Sequence, residues 1–298
     1  MRLNKICAFL SIFLLLSATA AGAYPRRIVS LTPVGTEMLF ALGQEKNIIG
    51  VTDFCDYPPE ALKKPKIGGY ASINLEGLIA MNADLLVLSD LHLQFKKDLE
   101  SLKIPHVFIM QEHISDIYKS ISALGRACGQ EERAAEMNAK IRADIARVGQ
   151  KTAKLPKKRT LLCVSRELSE EHVSVFYAAG RKTFYNELIK LAGGVNAVKE
   201  TASQYPKISA EGLISINPDA IIDIVGERTY YHSLENIDLD KVFNKKYLKG
   251  QWSGSAKVKA VTKGQVYIFD GTVYLRPGPR IGSILLSFAK ALHPEVKW

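Results

Sequence analysis

The chain has 298 residues, of which 47% are hydrophobic and 23% charged. These are globular values and exclude a disordered or collagen-like chain, and the length suits two ordinary domains or one large one. Forty Lys and Arg against thirty Asp and Glu give +10. No basic run or basic–aromatic motif concentrates that charge, so nucleic acid is not an expected partner; the densest patch, Lys154–Arg159, reads as a solvated linker.

Met1–Ala23 carries Arg2 and Lys5, the apolar run Ile6–Leu16, and the small residues Ala21-Gly22-Ala23. That is the pattern of a cleaved secretory signal peptide. Its loss removes 23 residues and two positive charges, leaving 275 residues at +8. No later stretch approaches the roughly 18 uninterrupted apolar residues of a membrane span. The expectation is an exported, soluble, monomeric protein. Cys7 goes with the signal and lacks the small residue that a lipobox needs before it. Cys55, Cys128 and Cys163 remain, enough for at most one internal disulfide, which an oxidising compartment permits but does not demand. No Cys/His spacing fits zinc.

From the mature N-terminus, strand and helix signals alternate. Arg27–Leu31 reads as a buried strand, Thr32–Thr36 as a turn, and Glu37–Leu42 as a short helix stopped by Gly43. Ile48–Val51, Leu85–Leu88 and His106–Met110 are further strands separated by helical stretches, which predicts parallel βαβ units covered on both faces. Glu131–Val148 holds neither proline nor glycine, and Ala134, Met137, Ile141, Ile145 and Val148 recur at helical spacing. Strands resume at Thr160–Val164. One stiff helix therefore separates two α/β regions: a lobe over 24–128, an interlobe helix over 129–156 and a second lobe over 157–298.

An internal repeat supports the division. Tyr70–Asp84 aligns without gaps on Tyr205–Asp219, 135 residues later, with eight of fifteen positions identical. Each copy runs into a strand, so the lobes are expected to be duplicated halves about a pseudo-two-fold axis. In each copy a polar residue, Asn74 or Ser209, stands at the helix N-cap, and Glu76 or Glu211 follows in the first turn. Such an acid can simply complement the helix dipole. Alternatively, the equivalent pair suits docking on a two-fold symmetric partner with a basic pocket in each subunit. Tyr70 and Tyr205 can each plug their own lobe or face one another across a cleft, where flat rings hold a bulky ligand. Tyr57, Phe176, Tyr177 and Tyr274 stand at other strand-end loops, the places where parallel sheets bind ligands. The loop Arg276-Pro-Gly-Pro-Arg280 is rigid and cationic, fit either for anionic or amide oxygens or for local salt bridges. An apolar helix then runs to Leu292.

Catalytic signals are poor. The six histidines are scattered, no HExxH pair or nucleophile elbow occurs, and Gly193-Gly194 reads as a helix stop. His92, His172 and His232 are the remaining candidates for metal ligands, against surface or core roles, and an exported enzyme is the second class of function.

Arg27–Pro33, Thr36-Glu37 with Leu42-Gly43, Asp56–Pro59, Gly68-Gly-Tyr70, Asn74-Leu-Glu76 and Arg276–Arg280 together resemble the cobalamin-binding periplasmic proteins of ABC importers, over about residues 25–295. These belong to the helical-backbone, class III solute-binding proteins, which also include ferric-siderophore and haem binders. The resemblance implies two Rossmann-like lobes with parallel sheets, joined by one long helix and closing only slightly around a ligand. It implies that cobalamin or another corrinoid is captured between the lobes, with a ferric siderophore or haem as the alternative. It implies delivery to a permease dimer whose ATPase subunits hydrolyse ATP, with no reaction catalysed by this chain and no resident cofactor. Carried over position by position, Tyr57, Tyr70, Tyr205 and Arg276 fall in the cleft, Phe176 or Tyr177 on another cleft loop, and Glu76 and Glu211 match the acidic docking pair. The family often has tryptophan where Tyr70 and Tyr205 stand.

Overall fold

In the computed structural model, which describes residues 24–69, 74–226, 240 and 243–298, the apolar runs of the first lobe become a fully parallel sheet. It comprises β1 (Ile28–Ser30), β2 (Ile48–Val51), β3 (Leu85–Ser89) and β4 (His106–Ile109), in the order β2-β1-β3-β4. Every residue of β1 and β3 is buried, as in strands covered on both faces. α1 (Pro33–Ala41) begins earlier than its sequence suggests. The expected turn is already helical, because proline's fixed φ suits the first helical position and it has no N–H to lose there. Gly43, at φ 76°, ends the helix as expected.

α2 (Leu75–Ala80), α3 (Lys96–Ser101) and α4 (Ile114–Cys128) complete this lobe and lead into α5 (Glu131–Thr152), which runs one turn past Val148. Ala134, Ile141 and Val148 are buried along one face of α5, and Met137 and Ile145 pack beside them.

The second sheet has the order β10-β9-β5-β6-β8, with β7 (Gly194–Asn196) on the start of β5 (Lys158–Arg166). β9 (Ala220–Val225) and β10 (Val266–Asp270) lie parallel to β5. β6 (Val175–Ala178) and β8 (Lys207–Ser209) add an antiparallel edge that the alternation of elements did not reveal. α6 (Phe184–Leu191), α7 (Ala210–Ile216), α8 (Lys245–Ser255) and α9 (Lys259–Thr262) cover the sheet, and α10 (Ile281–Leu292) packs on α5 and α6. One apolar cluster runs from Ile28 and Ile117 of the first lobe through Ile141 of α5 to Leu188, Ile222 and Phe288 of the second. The lobes therefore share a core rather than meeting at a hinge.

The repeat is largely scaffold. Asn74 Oδ1 accepts from the Gly77 N–H at 2.9 Å, and Ser209 Oγ from the Gly212 N–H at 3.3 Å, so both predicted N-caps form. Leu78 and Leu213 are buried. Asn82 and Asn217 both adopt the left-handed conformation, φ 47° and 44°, which asparagine tolerates better than most residues. Asp84 accepts from the N–H groups of Arg26 and Arg27, and Asp219 from that of Arg159, each fastening the start of a strand. Glu76 and Glu211 are exposed and bear none of this scaffolding.

Among the described residues no helix is long and apolar enough to cross a membrane. Cys55, Cys128 and Cys163 are buried and unbridged, and burial pushes all three thiols up.

Candidate functional site

The carboxyl ends of the two sheets converge on a cavity of about 360 Å³. Pro33 and Val34 enter it after β1, Phe54 after β2, Gln111 after β4, Arg166 at the end of β5, Gly226 after β9, and Thr272, Leu275 and Arg276 after β10. A neighbouring depression of about 400 Å³ shares Gln111, Val164 and Leu275 and adds Asp90, Leu91, Glu112, Lys182, Gln204 and Tyr205. This is where strand ends in an open α/β sheet leave a crevice, here formed twice and face to face.

Both arginines of the Arg276–Arg280 loop serve as salt-bridge partners, and Arg276 lines the cavity. The buried Arg276 closes its guanidinium fork on Asp56, with Nη2 donating to Oδ2 at 2.9 Å and Nη1 to Oδ1, and Nη2 also reaches the Phe54 carbonyl at 3.1 Å. Arg280 grips the buried Glu37 of α1 through Nε at 3.0 Å and Nη2 at 2.6 Å, while its flat face lies 3.6 Å from the centre of the Tyr57 ring. Burial pushes the Glu37 carboxyl up, against the pull of Arg280. Partners 220 and 243 positions apart thus clamp the last crossover of the chain to the first lobe.

A third ion pair lies at the end of β5, where Arg166 lines the cavity. The side chain of Arg166 is 1% exposed and that of Asp223 0%. Arg166 donates to Asp223 Oδ2 from Nε at 3.0 Å and Nη2 at 2.9 Å, and from Nη1 to Gln251 Oε1 at 2.7 Å and the Glu167 carbonyl at 3.3 Å. The Trp252 indole N–H donates to the same Asp223 oxygen at 2.8 Å. This network was not foreseen. A charged residue two positions after the apolar run Thr160–Val164, at the carboxyl end of a strand, is the signal that could have found Arg166.

Of the aromatics expected at the cleft, Tyr205 lines the second depression at 38% exposure. Burial first, then the charges of Asp90 and Glu112, push its phenol up to about 12. Tyr57, 40% exposed, lies against Arg280 and lines neither cavity. Tyr70 lies outside the described residues. Phe176 is a correction: it is 1% exposed and meets Trp252 edge-on at 5.2 Å inside the second lobe's core. Side chains alternate along β6, so Phe176 turns inward and Tyr177, 43% exposed, turns outward and lines neither cavity. Tyr274 is a second correction, its ring packed between Phe269 and Phe288 and its carbonyl held by the Tyr185 hydroxyl at 2.9 Å. Its neighbour Leu275 takes the place in the cleft.

Among the histidines, His92 is buried and its Nδ1 accepts from the Ser89 N–H at 3.0 Å, a capping role. His232 lies outside the described residues. No group of three His, Cys, Asp or Glu able to hold a metal occurs among the described residues.

A family described as "Periplasmic binding protein" matches residues 28–272. The chain is 27% identical over 276 residues to YvrC of Bacillus subtilis, named as an uncharacterized ABC transporter substrate-binding lipoprotein, covering 91% of this chain and 81% of that protein. It is 29% identical over 216 residues to the vitamin B12-binding protein of Pectobacterium carotovorum, covering 70% and 74%. Among solved structures, the periplasmic heme-binding protein RhuT of Roseiflexus superposes with TM-score 0.73 at 24% identity, covering 90% of this chain and 98% of that one. The vitamin B12-binding protein BtuF of Vibrio cholerae does so with TM-score 0.72 at 20% identity, covering 93% and 100%. Two α/β lobes on one backbone helix, a cleft at the carboxyl ends of both sheets and a family match over most of the length lead to one conclusion: the chain belongs to the periplasmic binding protein family, in its class III architecture.

Proposed function

We propose that this protein captures cobalamin or a related corrinoid in the interlobe cleft and delivers it to an ABC permease dimer, whose separate ATPase subunits supply the energy. The observation that carries this reading is the cleft itself. Leu91, Tyr205 and Leu275 give it apolar surface for the face of a large ring, and Gln111, Gln204 and Thr272 supply donors and acceptors for peripheral amides. Relatives named as vitamin B12-binding proteins support the same ligand. The haem and ferric-siderophore alternative draws on neighbours of the same fold named for heme. It is the weaker reading, because those neighbours, at 24% and 23% identity, share the fold alone. The chain acts as a monomer in the periplasm after removal of Met1–Ala23, and catalyses no reaction.

Calorimetric titration of the mature protein with cyanocobalamin, beside haem and a ferric siderophore, tests the ligand. Submicromolar one-to-one binding of cyanocobalamin alone is expected. Saturation by an iron compound with no response to cyanocobalamin would overturn the ligand and leave the fold untouched.

Delivery rests on Glu76 and Glu211, exposed at equivalent places on α2 and α7. The Ser209 hydroxyl and the residue's own N–H hold the Glu211 carboxyl below the usual range, so it stays ionised for a basic partner. Replacing both by alanine is expected to leave the cyanocobalamin affinity unchanged and to cut cellular uptake of radiolabelled cyanocobalamin about tenfold or more. A double variant that loses ligand affinity would refute the docking role.

A further inference from the structure

The protein as a whole is basic, and the described walls of its cleft set three cations against two carboxylates. Two of the three cations lining the cavities are already committed: Arg276 to Asp56 and the Phe54 carbonyl, and Arg166 to Asp223, Gln251 and the Glu167 carbonyl. The third, Lys182, lies on the second depression. Facing it there are two carboxylates, Asp90 and Glu112, neither of which forms an ion pair among the described residues; Asp90 Oδ1 accepts only the neighbouring Leu91 N–H, at 3.0 Å. Three cations thus stand against four carboxylates, counting Asp56 and Asp223 as the partners of the two arginines. Tyr205 lines the same depression as Asp90 and Glu112, and burial first, then their two charges, push its phenol up.

We propose that Asp90 and Glu112 set the charge specificity of the cleft, admitting ring ligands whose side arms are carboxamides and excluding those whose side arms are carboxylates. A carboxylate arm meets two like charges, the half-buried Asp90 and the exposed Glu112, and finds the nearby guanidinium groups already taken. A carboxamide arm offers N–H donors to the same two carboxylates and a carbonyl to Lys182 or Gln111. The inference rests on the cleft being the ligand site and narrows the class of ligand that fits it.

The test compares two corrinoids with one ring and different arms, dicyanocobinamide (amides) and dicyanocobyrinic acid (carboxylates), by spectroscopic titration, with haem as an independent dicarboxylate. The wild-type protein is expected to prefer the amide form by about tenfold or more. In the Asp90→Asn, Glu112→Gln double variant, the ratio of the two corrinoid affinities is expected to narrow about tenfold, and haem affinity to rise by a similar factor. High salt should narrow the wild-type ratio as well, because screening weakens exposed charges. A wild-type preference for the acid form, or a double variant in which no carboxylate ligand gains, overturns the proposal. If the wild-type protein binds neither corrinoid, the corrinoid reading falls and haem alone decides: a gain in the double variant upholds the charge rule, and no gain overturns it.

Discussion

Arg166→Met is expected to destabilise the protein by about 3–5 kcal/mol, the cost of leaving a buried charge without its partner. For a chain of this size that is a fall in melting temperature of about 10 °C. Asp223 is fully buried, and one of its oxygens, Oδ2, collects two Arg166 bonds and the Trp252 indole bond, while Oδ1 has no hydrogen-bond partner. Without the guanidinium, Oδ2 keeps the Trp252 indole bond but the buried carboxylate has lost its counter-charge. Methionine fills much of the vacated volume, so the loss measures charge rather than cavity. Adding Asp223→Asn to Arg166→Met removes the stranded charge and is expected to recover at least half of the stability. Urea denaturation of the wild type and the two variants decides. A loss under about 1 kcal/mol for Arg166→Met, or no recovery in the double variant, would show that the pair contributes little.

The placing of that pair shows what local sequence can and cannot reveal. Arg166 and Asp223 are 57 positions apart and meet because β5 and β9 are parallel neighbours, with Cys163 beside Asp223. Nothing local to either residue encodes the register. The same holds for Arg276 with Asp56 and Arg280 with Glu37: the loop's rigidity and charge were readable, but which of its two open roles applied depended on carboxylates more than 200 positions away. The elements were readable wherever a local period or a cap determines them. α5 shows its apolar face at a spacing of three and four, and both repeat helices begin at the polar residue before their glycine. The aromatics fall between these cases. Tyr205 reaches the cleft as its loop position suggests, whereas Phe176 does not, because one residue of phase along a strand sends a side chain to the opposite face. The antiparallel edge strands were illegible for a related reason: three or four residues are too few for a pattern to declare itself.

The buried pairs also bear on how the cleft moves. A core cluster continuous through α5 and α10 joins the lobes, and the clamps from Arg276 and Arg280 fix the final crossover against the first lobe. Opening the lobes widely would strip Glu37 of its counter-charge in a site where its side chain is 2% exposed. From where these charges are buried, limited closure is the expectation, with ligand capture depending on side chains and loops at the mouth more than on lobe rotation.

Arg280→Ala probes that clamp and is expected to cost about 2–3 kcal/mol at pH 7.5, with a clearly smaller loss near pH 4.5. The sign follows from Glu37. Burial raises its folded-state pKa above the usual 4.5, opposed by the hydrogen bond and charge of Arg280, more weakly by the charge of Arg276, and reinforced by Asp56. A carboxyl with a raised folded pKa binds its proton more tightly in the native state, so its contribution is most favourable in acid and is lost as pH climbs from the unfolded value through the folded one. Removing Arg280 takes away the two largest opposing effects, so the folded pKa climbs further and the loss towards neutrality deepens. The Tyr57 ring loses its cation in the same variant, a cost that does not vary over this range because arginine stays charged throughout. A Glu37→Gln, Arg280→Ala double variant isolates Glu37: its stability difference from Glu37→Gln alone should be nearly independent of pH. Denaturation of all four proteins at both pH values makes the comparison. Equal losses for Arg280→Ala at pH 4.5 and 7.5 would mean that Glu37 is not the group the clamp holds ionised.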